Sequence, residues 1–159
     1  MTESNHIIRI GIISDTHGLL RPEAIYALQG VELIIHAGDI DSPEVLNELG
    51  TIAPVKAVRG NMDKGVWTAN LPKADLITHK GLNLYVLHDL QQLDLDPQTA
   101  RIQVVVNGHT HRPLIQKKNN VLYFNPGSAG YRRNSAPLAI GILKLKNGQL
   151  YPEIIKLNV

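Results

Sequence analysis

Five short apolar runs in this chain each stop at a residue with a ligating side chain, and that repetition constrains the fold more than any other feature. Residues 7–14 (IIRIGIIS) lead into Asp15-Thr16-His17, residues 31–36 into Gly38-Asp39, and residues 53–58 into Gly60-Asn61. Residues 84–87 end at His88, and residues 102–106 lead into Gly108-His109-Thr110-His111. Such runs, rich in β-branched residues, predict strands covered on both faces. In open α/β sheets ligands bind outside the carboxyl ends of the strands. The five clusters therefore meet on one rim if their strands lie side by side. The neighbouring glycines suit a chain that turns sharply to present a side chain.

Between the first three runs the pattern is helical. Residues 21–30 carry Pro22 near their start, and Ser42-Pro43 opens a second helix with serine as cap and proline in the first turn. Strand, helix, strand, helix, strand in succession reads as right-handed βαβ units. The second half changes to hairpins. Lys80-Gly81, Asn119-Asn120 and Asn147-Gly148 each separate two apolar runs, at 76–78 and 82–87, 113–116 and 121–124, and 139–145 and 150–155. These pairs suit tight two-residue turns. Residues 91–101 are polar and predict a partly helical connection. The 159 residues suit a single α/β domain spanning 1–159, without repeats or linkers.

Composition removes several classes of function. The chain has no cysteine, which excludes a disulfide framework, a thiolate nucleophile and a Cys-ligated metal, and suits a reducing compartment. The amino-terminal residues 1–6 are polar and lack the layout of a signal peptide. No apolar run approaches the roughly 20 residues that span a bilayer. The expectation is a cytoplasmic protein with no membrane partner. Sixteen Lys and Arg against 14 Asp and Glu give a formal charge of +2 with no basic block, which disfavours a long nucleic acid as partner. Seven histidines beside one Trp and one Phe direct attention to metal chemistry.

The strand-end set is Asp15, His17, Asp39, Asn61, His88, His109 and His111. Carboxylates, imidazoles and an amide oxygen form a hard-to-borderline O/N ligand set, suited to manganese first and also to zinc, iron, nickel or cobalt. Seven ligands exceed what one ion uses, whereas two ions sharing one carboxylate use them all. Two divalent ions about 3.5–4 Å apart form a clamp for in-line displacement at phosphorus. Against two ionised aspartates they leave a positive site that attracts a phosphate ester. His36, His79 and His6 lack a motif and are read as packing or exposed residues. Arg132 and Arg133 follow a turn at 125–128, and their guanidinium forks suit a phosphate oxygen.

The order D-x-H, GD, GN, H, GH-x-H resembles the calcineurin-like metallophosphoesterases, specifically the small YfcE-type phosphodiesterase branch that also includes a retromer subunit. The resemblance spans essentially the whole chain, and Asn125-Pro-Gly-Ser128 matches a further segment of the branch. It implies a four-layer α/β fold, two mixed β-sheets packed as a sandwich with flanking helices. It also implies one metal held by Asp15, His17, Asp39 and His111 and a second held by Asp39, Asn61, His88 and His109, with Asp39 bridging. Two positions depart from the pattern. Met62 stands where many members carry a histidine that assists the leaving group, and Asp89 stands where a glycine follows the fourth ligand.

The function expected is hydrolysis of small phosphodiesters by in-line attack of a metal-bridging hydroxide, with two divalent ions per chain. Asp39, Asn61 and His109 are the expected catalytic residues, and Asn61 and Arg133 the expected substrate contacts. The alternative is a protein-interaction scaffold of the same fold with little or no turnover. A homo-oligomer is compatible with this reading.

Overall fold

Two five-stranded mixed sheets face each other in a computed structural model that describes residues 6–159; residues 1–5, part of the polar amino terminus noted above, lie outside the described residues. The first sheet has the order β10-β9-β1-β2-β3 and the second β4-β5-β6-β8-β7. The first is built from β1 (Ile8–Ile13), β2 (Leu33–His36), β3 (Val55–Ala57), β9 (Ala139–Lys146) and β10 (Gln149–Lys156). The second contains β4 (Ala74–His79), β5 (Leu82–Leu87), β6 (Val104–Val106), β7 (Leu114–Lys118) and β8 (Val121–Asn125). In the first sheet β1, β2 and β3 run parallel; in the second β5, β6 and β8 do. The remaining pairings are antiparallel. The five strands that end in ligating residues are thus split three and two between facing sheets, rather than lying side by side in one.

Ile10, Ile12, Leu33 and Ile35 from the first sheet pack on Leu84, Val86, Val106 and Phe124 from the second. Successive side chains of a strand point to opposite faces. Ile13, Ile34, Ile140 and Ile142 accordingly point outward, into a second cluster with Leu28, Val45 and Leu49 beneath the helices. This double coverage explains why β1 and β2 read as near-continuous apolar runs. Helix α1 (Pro22–Ala27) is shorter than the expected 21–30, because the chain leaves it through turns to Gly30, at φ 88°. Helix α2 (Pro43–Gly50) begins as its sequence predicts. Ser42 accepts the Glu44 N–H at 3.3 Å, and its hydroxyl also bonds the Glu44 carboxylate.

The outer face of the second sheet is covered by the connection after β5, not by a regular helix. Leu93 and Leu95 pack there against Leu87, Val105 and Tyr85. The expected partly helical stretch at 91–101 contains one 3₁₀ turn, Leu90–Gln92, followed by turns. The Asp96 carboxylate accepts the Gln98 N–H (3.2 Å) and the Thr99 hydroxyl (2.7 Å), and so competes with a helix ladder there. All three predicted hairpin turns are present. Lys80, Gly81, Asn119, Asn120, Asn147 and Gly148 have φ between 51° and 82°, the geometry that matches the twist of antiparallel strands.

Strand register positions the rim. Ile13 pairs level with His36, and Val86 level with Val106. The loops after β1 and β2 therefore leave together, as do those after β5 and β6. Asp15, His17 and Gly18 N–H groups donate to the Gly38, Asp39 and Ile40 carbonyls at 3.0, 3.0 and 2.7 Å, and the Gly108 N–H donates to the His88 carbonyl at 2.9 Å.

Candidate metal centre

Asp15, His17, Asp39, Asp41, His109 and His111 all have positive φ, between 48° and 73°. In each of the loops 15–17, 39–41 and 109–111 the first and third residues are left-handed. Asp and His visit that region more readily than most residues, but each such position still costs about 1–3 kcal/mol unless its surroundings enforce it. Here they do. Asp63, almost wholly buried, accepts the backbone N–H groups of Asp39 (3.0 Å), Ile40 (2.8 Å), Asp41 (2.8 Å) and Gly60 (2.8 Å), tying the second loop to the third. Asn125 does the same for the 107–111 loop. Its amide donates to Asn107 Oδ1, the Gly108 carbonyl and Thr110 Oγ1 at 3.0–3.2 Å. The Ser128 hydroxyl bonds the Asp15 carbonyl at 3.0 Å. The 125–128 segment is a structural clasp.

The two carboxylates divide their oxygens in the same way. Asp15 Oδ2 accepts the Ser14 hydroxyl (2.7 Å) and the His109 N–H (3.1 Å), while Oδ1 is buried with no hydrogen-bond partner. Asp39 Oδ1 accepts the Met62 N–H at 2.9 Å, leaving Oδ2 3.2 Å from His88 Nε2 and 3.8 Å from His17 Nε2. Asp15 Oδ1 lies 3.2 Å from His111 Nε2, 3.8 Å from His17 Nε2 and 3.9 Å from His88 Nε2. Two triads result, Asp15-His17-His111 and Asp15-Asp39-His88, each with its ligand atoms mutually within 4.8 Å. Gly60 and Gly108 make this approach feasible. A Cβ on Gly60 would strike the Asp39 carboxylate, and one on Gly108 would strike the Ser14 hydroxyl beside Asp15. Close packing, rather than a sharp turn, is what these two glycines serve.

Hydrogen bonds from behind aim the imidazoles. His88 Nδ1 donates to the Ala37 carbonyl at 2.8 Å, and His17 Nδ1 donates to the Asp41 carboxylate at 2.9 Å. In its neutral form each ring therefore turns an Nε2 lone pair toward the aspartates. His88 Nε2 is buried without a hydrogen-bond partner. Buried ring nitrogens and carboxylate oxygens converging within ligand distance of one another are what a cation requires, so the residues present fit a divalent metal centre. The same convergence sets the ionisation of the group. Burial pushes both carboxyls up, but His111 with His88 and Ser14 at Asp15, and His88 with the Met62 N–H at Asp39, hold both below the ordinary carboxylate value. Burial alone would lower His88; the two aspartates and the Ala37 carbonyl raise it.

Asn61 and His109 stand apart from the triads. Asn61 is exposed, and the His109 ring meets His88 edge-on at 5.1 Å, with Nε2 3.9 Å from Asp89. Both line a cleft of about 360 Å³ that opens beside His88 and also contains Arg59, Lys64 and Lys73. Arg133 is exposed and outside that lining, and Arg132 bonds the Val159 carbonyl. Asp41, Asp63 and the cleft cations were missed in the sequence. Asp39-Ile-Asp41 does share the two-apart spacing of the two other ligand loops, which was the available signal for Asp41. His36 is fully buried. His79 Nε2 lies 3.0 Å from Glu32, which His6 also approaches at 3.4 Å.

Residues 8–148 match the calcineurin-like phosphoesterase superfamily domain. The chain belongs to that superfamily. A probable metallophosphoesterase of Methanothermobacter thermautotrophicus is 38% identical, covering 92% of this chain and 91% of its own. Phosphodiesterase YfcE of Escherichia coli K12 is 27% identical, covering 86% and 88%. Vacuolar protein sorting 29 from Cryptosporidium parvum shares the superfamily fold, with a TM-score of 0.77 at 18% identity over 95% of this chain and 98% of that one. The superfamily and its fold agree with the sequence motifs, and the YfcE likeness agrees with the branch they indicated.

Proposed function

We propose that the chain, acting as one domain over 1–159, is a metal-dependent phosphoric diester hydrolase acting on small phosphodiesters. The observation that carries this reading is that Asp15 Oδ1 and His88 Nε2, both buried without a hydrogen-bond partner, converge with Asp39 Oδ2 at the strand ends of both sheets. Asp15, His17, Asp39 and His111 would hold one divalent ion, and Asp39, Asn61, His88 and His109 a second. Asp39 would belong to both sets, its Oδ2 lying 3.8 Å from His17 Nε2 and 3.2 Å from His88 Nε2, and Asp15 Oδ1 stands 3.8 and 3.9 Å from the same two nitrogens. Such ions supply Lewis acidity toward a phosphoryl oxygen and a hydroxide nucleophile at neutral pH, with manganese the leading choice. Asn61 and His109 line the cleft and would lie beside the bound phosphoryl group, and Asp41 and Ala37 accept the Nδ1 protons that orient His17 and His88.

All seven expected ligand residues are retained, which favours turnover over a purely scaffolding role. The test is hydrolysis of bis(4-nitrophenyl) phosphate after exhaustive chelation and after return of Mn2+. Activity should vanish and return, and Asp39→Asn should lose both metal and turnover while staying folded. Full activity with elemental analysis showing no metal would overturn the reading.

A further inference from the structure

The cleft beside His88 and His109 holds more positive charge than a simple diester can use. Arg59, Lys64 and Lys73 all line it, and among the described residues none has a carboxylate within ion-pair distance. The two acids of the lining do not neutralise them. The Asp63 carboxylate is occupied by four backbone N–H donors, and Asp89 bonds the Gln91 N–H at 3.1 Å and faces His109. Arg59 is held in place, its N–H on the Pro72 carbonyl (2.8 Å) and its Nε on the Asp63 carbonyl (3.1 Å). The first of these bonds also sets the stretch before Lys73 beside Arg59. Three like charges around one cavity repel one another, and an anion placed among them relieves that repulsion.

The single negative charge of a diester would be met by the divalent ions proposed at the carboxylate–histidine centre, which leaves the three cations without a counter-charge. The cleft volume of about 360 Å³ lies within the range of pockets that bind small molecules. We infer that the substrate is a phosphodiester one arm of which carries a second phosphate, bound by Arg59, Lys64 and Lys73 while the scissile phosphorus lies between the aspartates and the cleft. This rests on the phosphodiesterase reading and names its substrate class. It also makes the basic patch a property of the folded chain, since positions 59, 64 and 73 form no basic run in the sequence.

The 4-nitrophenyl ester of thymidine 5′-phosphate, with and without a 3′-phosphate, separates the two claims when assayed on the full Mn2+-loaded chain. The bisphosphate probe should be favoured in kcat/KM by roughly three- to a hundred-fold, for three pairs each worth what an exposed ion pair is worth. The gain should lie in KM and shrink as salt rises. Lys64→Ala and Lys73→Ala should each cut the preference roughly two- to five-fold, while Lys117→Ala on β7 leaves it intact. No preference in the unaltered chain, or one indifferent to both lysines, overturns the inference and leaves the phosphodiesterase reading standing. If neither probe is hydrolysed, the phosphodiesterase reading fails. Calorimetric binding of thymidine 3′,5′-bisphosphate then decides the cleft alone: weaker binding by the Lys64→Ala/Lys73→Ala chain supports it, and equal binding overturns it.

Discussion

His36 is wholly buried, and because its Nδ1 accepts the Gly38 N–H, its one proton sits on Nε2 and goes to Thr16 Oγ1 at 3.0 Å. The Thr16 hydroxyl passes the chain on to the Ile40 carbonyl at 3.2 Å, so a neutral imidazole joins the first two ligand loops. Burial drives its pKa from 6.5 to about 3. The unfolded chain takes up that proton near pH 6.5 and the folded chain does not until about pH 3, so stability falls as pH drops through this window. His88, shifted upward, adds no slope below its ordinary value, since its contribution is complete there and is lost only as pH rises. Between pH 6 and 5 the metal-free chain should lose about 1.2 kcal/mol that His36→Gln does not lose, as measured by denaturant unfolding. Equal slopes would contradict this. Met62 poses a different test. Its side chain is half exposed and has no proton to give, and only its N–H serves the site, on Asp39. Phosphodiester hydrolysis should therefore slow steeply as the leaving-group pKa rises. Met62→His should recover part of the roughly 10²–10⁴-fold that general-acid help supplies, and only for poor leaving groups. A flat dependence in the unaltered chain would show another acid at work.

The loops 15–17, 39–41 and 109–111, which carry candidate ligands, have no regular hydrogen-bond ladder, and contacts from elsewhere in the chain hold their left-handed conformations. Asp63 is the clearest case, because one carboxylate satisfies four N–H groups spread over two loops. Asp63→Ala should cost about 3 kcal/mol or more, since buried donors left without partners each cost about 1–3 kcal/mol. For a chain of this length that is roughly 6–12 °C in Tm. Metal content should fall with it, because the backbone of Asp39 loses its anchor. Asp63→Asn keeps one acceptor oxygen and should fall between the two in both thermal melts and elemental analysis. A melting temperature unchanged in Asp63→Ala would remove the anchoring role.

At the scale of the whole molecule, the candidate ligands come from both sheets. Asp15, His17, Asp39 and Asn61 follow strands of the first sheet, and His88, His109 and His111 follow strands of the second. Ions held among them would tie the sheets together at one end of the shared core, and an unfolded chain offers no such site. Metal binding should therefore appear as stability, about 2.7 kcal/mol per site at a hundred times Kd. Mn2+ should raise the Tm of the unaltered chain and a chelator should lower it. Asp15→Asn, which removes the charge common to both triads, should make the Tm nearly indifferent to either. A melting curve blind to Mn2+ in the unaltered chain would contradict the coupling.

Features that depend on short-range chemistry are legible in the chain alone. Apolar runs buried on both faces specify β1, β2 and β6. Ser42-Pro43 specifies the start of α2, and Lys80-Gly81, Asn119-Asn120 and Asn147-Gly148 specify three hairpins. The identity and order of the candidate ligands are likewise written in the chain, because each must end a strand. What depends on partners far along the chain was decided only in three dimensions. The parallel strands divide between two sheets because the interior needs both apolar faces to close. The 91–101 segment forgoes a helix because Asp96 bonds the local backbone and its leucines pack on β5 and β6. Asp41 and Asp63 reach partners some twenty residues away. Arg59, Lys64 and Lys73 become one cationic cleft because packing draws scattered charges together, an effect no local pattern encodes.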